Sequence, residues 1–145
     1  MKTAEKPIMG KRKALLIPSL ALFFFSLTQN AFSAAHFDGP ERYSGLAALL
    51  VGATIILGGG LLEWIVWLAN PLFALSIFLA FRRDKRAVLP SLSSVVLSTS
   101  FMFWREILVS ESGRTGAILS KGLGYYAWIT ALIVWACSFF LPIKK

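Results

Sequence analysis

Residues 63–86, EWIVWLANPLFALSIFLAFRRDKR, constrain this chain more than any other stretch. An acid stands at the mouth of an apolar run, Asn70-Pro71 interrupts it, and Arg82, Arg83, Lys85 and Arg86 close it. With the residues just before it, it gives 61–81, an apolar segment about as long as the roughly 20 residues that cross a hydrocarbon core. Its charged foot matches the cytoplasmic end of such a segment under the positive-inside rule.

The rest of the chain has the same character. Of 145 residues 57% are hydrophobic and 15% charged, with a mean hydropathy of +0.69. Soluble domains carry roughly 25% charged residues, so the expected solvent is a lipid bilayer. The net charge of +8 does not point to nucleic acid, because Lys and Arg gather at the ends of apolar runs. Cys137 and His36 are each the sole residue of their type, which leaves no disulfide framework and no thiolate metal site.

In chain order, residues 1–13 form a basic arm and 14–35 an apolar segment ending in Ser33-Ala34-Ala35. This segment reads either as a retained signal-anchor or as a cleavable signal peptide. Residues 44–60 are short, rich in Gly and Ala, and end in three glycines that favour a hinge. Residues 87–104 and 122–141 are further apolar segments, the first rich in serine, and 105–121 reads as an outer loop. If 44–60 crosses the bilayer, basic residues divide eight against seven. If it dips in or lies in the interface, eleven of fifteen fall on the cytoplasmic side. The expected architecture is therefore an all-α, multi-pass membrane protein: four transmembrane helices plus a short Gly-rich re-entrant or interfacial helix, in one domain, with both termini cytoplasmic.

Trp67, Ala69, Asn70 and Pro71 spell W-x-A-N-P, and Gly122, Gly124, Tyr125, Tyr126 and Trp128 spell G-x-G-Y-Y-x-W. In these motifs the chain resembles a set of small uncharacterised bacterial inner-membrane proteins, from about residue 44 to the C-terminus. The resemblance implies that location and carries no activity.

Pro71 removes a backbone donor and frees the carbonyl of Trp67, four residues earlier. Asn70-Pro71 is expected to kink the helix, with neighbouring side chains satisfying the freed group; a broken helix that binds an ion or substrate is the other reading. Glu63 beside Trp64 suits the headgroup level, although a carboxylate within a membrane is a functional candidate. Ser91, Ser94 and Ser98 lie at helical spacing and are expected to hold helices together. Trp64, Trp67, Trp104, Tyr125, Tyr126 and Trp128 are expected to form aromatic belts. Gly124, Ala127 and Ala131 give the last helix a small face against which another helix can lie.

A hairpin centred on Asp84 would set Glu63 level with Arg105, Trp64 with Trp104 and Asn70 with Ser98. Glu63 and Arg105 should then form an ion pair that lysine could not copy. Catalysis lacks its parts: there is no nucleophile with an evident base, no metal-ligand cluster and no phosphate loop. No enzyme activity and no cofactor are expected. Two functions remain open. One is a structural or accessory protein packing with itself or a larger membrane partner. The other is an oligomeric transporter using a seam of Glu63, Asn70, Ser91, Ser94, Ser98 and Arg105.

Overall fold

The computed structural model describes residues 6–110 and 113–141, with backbone alone for 6–13. Residues 1–5 of the basic arm, and Pro142, Lys144 and Lys145 beyond the last helix, lie outside the described residues. The chain runs α1 (Lys6–Thr28), β1 (Asn30–His36), β2 (Gly39–Ser44), α2 (Gly45–Thr54), α3 (Leu61–Trp67), α4 (Ala69–Phe81), α5 (Val88–Ser100), β3 (Glu106–Leu108), β4 (Thr115–Lys121) and α6 (Leu123–Cys137).

The all-α expectation is wrong. The fold is α+β, 66% helical, with a four-stranded antiparallel sheet in the order β2-β1-β4-β3. Segments between the expected helices supply β2, β3 and β4, and the end of the first apolar segment supplies β1. β1 turns into β2 at Gly39, whose φ of 123° suits a residue without a side chain. β1 also pairs with β4, so that Ala34 faces Glu41 on one side and Ile118 on the other. Backbone groups between helices need partners, and here the two inter-helix segments supply each other.

The multi-pass, four-transmembrane-helix reading falls with the same finding. Among the described residues two helical stretches, Leu61–Phe81 and Lys85–Phe103, are long and apolar enough to cross a membrane. β1 takes residues that would have lengthened the first apolar segment, leaving Ala14–Thr28. α6 covers 15 residues, about 22 Å at 1.5 Å per residue against a hydrocarbon core of about 30 Å.

The helices α1, α3–α4, α5 and α6 pack side by side, and the sheet closes one end. α1 and α6 share the most extensive contact, running antiparallel, so α1 covers the small face expected on α6. A Cβ at Gly124 would stand 2.9 Å from the carbonyl oxygens of Gln29 and Asn30, so only glycine lets the chain pass there. One apolar core lies within the helices around Phe73, Leu132 and Trp135. A second lies under the sheet around Ala34, Phe101, Ile107 and Tyr125. Of residues 44–60, expected as a short embedded helix, 45–58 form α2 and a 3-10 turn against the sheet end of α1 and α3. At the other end Arg83 takes a φ of 58° and the Asp84 carboxylate accepts from the Arg86 N–H at 2.8 Å, which tightens the basic turn.

Candidate functional site

Pro71 determines the local chemistry of the central helix. The Trp67 carbonyl it frees accepts from Asn70 Nδ2 at 3.0 Å. The other end of the same amide, Oδ1, accepts from the indole Nε1 of Trp128 at 2.9 Å. The Trp67 indole in turn donates to the Leu49 carbonyl on α2 at 2.8 Å. The two sequence motifs therefore meet at one amide, which joins the α3–α4 break to α6, while the Trp67 indole ties the break to α2.

α6 acts as the hub of the interior. The Tyr125 hydroxyl donates to the Ser98 carbonyl at 2.9 Å. Trp135 Nε1 donates to Ser76 Oγ at 2.9 Å, and that hydroxyl donates on to the Ala87 carbonyl at 2.9 Å. From the opposite side Ser19 Oγ donates to the Ala131 carbonyl at 2.8 Å. Tyr125 and Trp128 are one turn apart, so Ser98 and Asn70 stand within about one helical turn of each other in depth.

The remaining seam residues are placed differently from expectation. Glu63 Oε1 accepts from the backbone N–H of Leu108 at 2.9 Å, which caps the end of β3. Arg105 is exposed, and no ion pair joins it to Glu63. Ser91, Ser94 and Ser98 are fully buried, yet their hydroxyls do not bridge helices. Ser94 and Ser98 donate back to the Ser91 and Val95 carbonyls of their own helix, at 2.7 and 3.0 Å. Ser91 Oγ, like Ser138 Oγ, has no partner. The bridging serines are Ser19 and Ser76, which sequence reasoning passed over. A signal for Ser76 existed: α4 and α6 run parallel, and 58 residues separate Asn70 from Trp128, 59 separate Ser76 from Trp135.

The aromatic belt is divided. Tyr126 is exposed, but Tyr125 is only 3% exposed, and Trp67 and Trp128 spend their indoles inside. Trp64 and Trp104 are half-buried, and the Trp104 carbonyl accepts from Lys121 Nζ on β4 at 3.2 Å. No family model, curated protein or solved structure matches the chain.

Beside the Asn70 junction lies a cavity of about 160 Å³ under α2, bounded by α3, α6 and the sheet. Glu63 and Asn70 reach its wall, and Leu49, Ile55, Val66 and Ile107 supply much of the rest. Among the described residues no group of three His, Cys, Asp or Glu side chains is placed to hold a metal ion.

Proposed function

We propose that this chain is a small structural or accessory protein seated in a bacterial cytoplasmic membrane, where it packs with a second copy or a larger membrane partner. The observation that carries the reading is the apolar surface of the hairpin. In each of its two long helical stretches only 28% of the apolar window is buried inside the protein. Leu75, Phe78 and Phe81 on α4, and Leu89, Leu92 and Val96 on α5, are all exposed. A soluble monomer rarely shows so large an apolar surface to water, whereas lipid or an apolar partner accepts it.

Orientation follows from charge. Arg82, Arg83, Lys85 and Arg86 lie at the end remote from the sheet and belong on the cytoplasmic side. The interior favours a structural role over a transport path. Glu63, Asn70, Ser94 and Ser98 are each committed to a protein group, so the seam offers no continuous row of free polar atoms.

Photocrosslinkers at Phe78 and Val96 in native membranes, with identification of the products, test this reading. Lipid adducts together with one discrete protein, or a dimer of this chain, are expected. Release of the chain by alkaline carbonate, with neither lipid nor protein adducts, would sink it. Cysteines at Asp38 and Lys85 in a Cys137→Ser background test orientation. An impermeant thiol reagent added to intact cells should label the first and spare the second.

A further inference from the structure

α2 and the turn that follows it contain no buried residue, although they lie against the helices and the sheet. Leu46, Leu50, Ile56 and Leu57 face outward and are exposed, Leu57 by 87%. On the inner side Ala48, Leu49, Gly52 and Ile55 face the cavity. The segment is thus apolar on both sides and walls a half-open cavity instead of a packed core. Interiors normally close such voids, because wall atoms without neighbours lose dispersion contacts.

The segment is hinged at its C-terminal end and fastened at its start, where the Gly45 N–H donates to the Gln29 carbonyl at 2.8 Å. Gly59, at φ 90°, and Gly60 follow its C-terminal end, and the Ser44 hydroxyl accepts from the Ala47 N–H at 3.1 Å at its start. In the middle, the Trp67 indole bond to Leu49 and the contact of Gly52 with the Trp67 ring hold it down.

The chemistry of the walls selects the occupant. Residues 44–62 carry no charged side chain. At the cavity wall Asn70 has both ends of its amide engaged, and Glu63 holds the Leu108 N–H with Oε1 while Oε2 lies beside Gly60, so most of the remaining wall is apolar. Apolar cavities of about 150 Å³ stay dry and accept hydrocarbon guests. The outer face of α2 is itself apolar, so a guest arrives through hydrocarbon and not through water.

We propose that residues 45–58 are a flap over a binding site for a single hydrocarbon chain, the acyl tail of a surrounding lipid. This rests on the membrane seat proposed above. The full chain is placed in bilayers of phosphatidylglycerol and phosphatidylethanolamine containing a phospholipid with a diazirine near the end of one acyl tail. After photolysis, adducts are mapped by mass spectrometry. Adducts at Leu49 and Val66 are expected in addition to those at Phe78 and Val96 on the exposed apolar belt of α4 and α5. Ala48→Phe fills the cavity, so labelling of its walls should fall about tenfold while belt labelling stays. Trp67→Phe removes the bond to Leu49, loosens the flap and should raise wall labelling; it also serves if Ala48→Phe fails to fold. Belt adducts without wall adducts, or wall adducts indifferent to both substitutions, would overturn the site and leave the membrane seat intact. Wall adducts without belt adducts would overturn the seat and leave the site.

Discussion

The side-chain amide of Asn70 bridges two helices with its two ends: Nδ2 donates to the Trp67 carbonyl at 3.0 Å, and Oδ1 accepts from the Trp128 indole at 2.9 Å. A proline-freed acceptor and a half-buried tryptophan donor are satisfied by one residue. Replacing it by an apolar side chain leaves both without partners.

Asn70→Ala should therefore destabilise the protein by about 1–3 kcal/mol, the cost of leaving a desolvated polar group unpaired. Pro71→Ala restores a backbone N–H that can reach the Trp67 carbonyl directly. In the Asn70→Ala background it should recover about 1 kcal/mol. Unfolding in micelles, followed by circular dichroism, compares the single and double variants. An additive double variant would show that the Trp67 carbonyl is not the coupled group.

That Pro71 frees an acceptor is legible in the sequence, because proline acts on a carbonyl at a fixed distance along the chain. The partner is not, since tryptophan serves equally as an interfacial residue and as an interior donor. Trp67 and Trp128 look alike in both roles until the packing of α6 is known. The strands are hidden for another reason. β1 continues the small apolar composition of the segment before it, and its pairing of Ala34 with Ile118 depends on a distant stretch of chain. Hydropathy reports only local composition.

Glu63 and Arg105 carry complementary charges, but the nearer partner for the carboxylate is the Leu108 N–H at the end of β3. Glu63→Ala should cost up to about 2 kcal/mol and speed hydrogen exchange at the Leu108 amide. Glu63→Gln keeps an acceptor and should lose less than half of that. Arg105→Ala should change stability by no more than about 0.5 kcal/mol. A loss at Arg105 equal to that at Glu63 would restore the ion pair.

Two buried serines should respond in opposite ways. Ser76 relays a bond from Trp135 to the Ala87 carbonyl, so Ser76→Ala strands the indole and should cost about 1–3 kcal/mol. Ser91 is fully buried, and its Oγ has no partner. Ser91→Ala should be neutral or stabilise by up to about 1 kcal/mol. Chemical denaturation of the two variants side by side decides it; a destabilised Ser91→Ala protein would mean that the hydroxyl has an acceptor or a bound water.

Tyr43 gives the sheet a pH limit on the alkaline side. Its ring stacks on Phe32, with centroids 4.9 Å apart, and its hydroxyl donates to Glu41 Oε2 at 3.0 Å. Burial first, then that bond, then the carboxylate's charge raise the phenol pKa from 10.0 to about 12. The folded state therefore holds a proton that the unfolded chain releases. The stability tied to it is complete below pH 10 and is lost as pH rises through about 12. Tyr43→Phe keeps the ring and removes the titration, so its stability should fall less steeply across that window. Glu41→Gln removes the carboxylate and leaves burial, so the phenol should titrate between the two limits. Phenolate absorbance of the native protein, with Tyr43→Phe subtracted, reads the value directly. Titration of Tyr43 at its ordinary pKa in the folded protein would sink this account. Ser44, the next residue, caps α2, so loss of the Tyr43 proton should loosen the start of that helix first. Amide exchange in residues 45–54 should rise before exchange in α6.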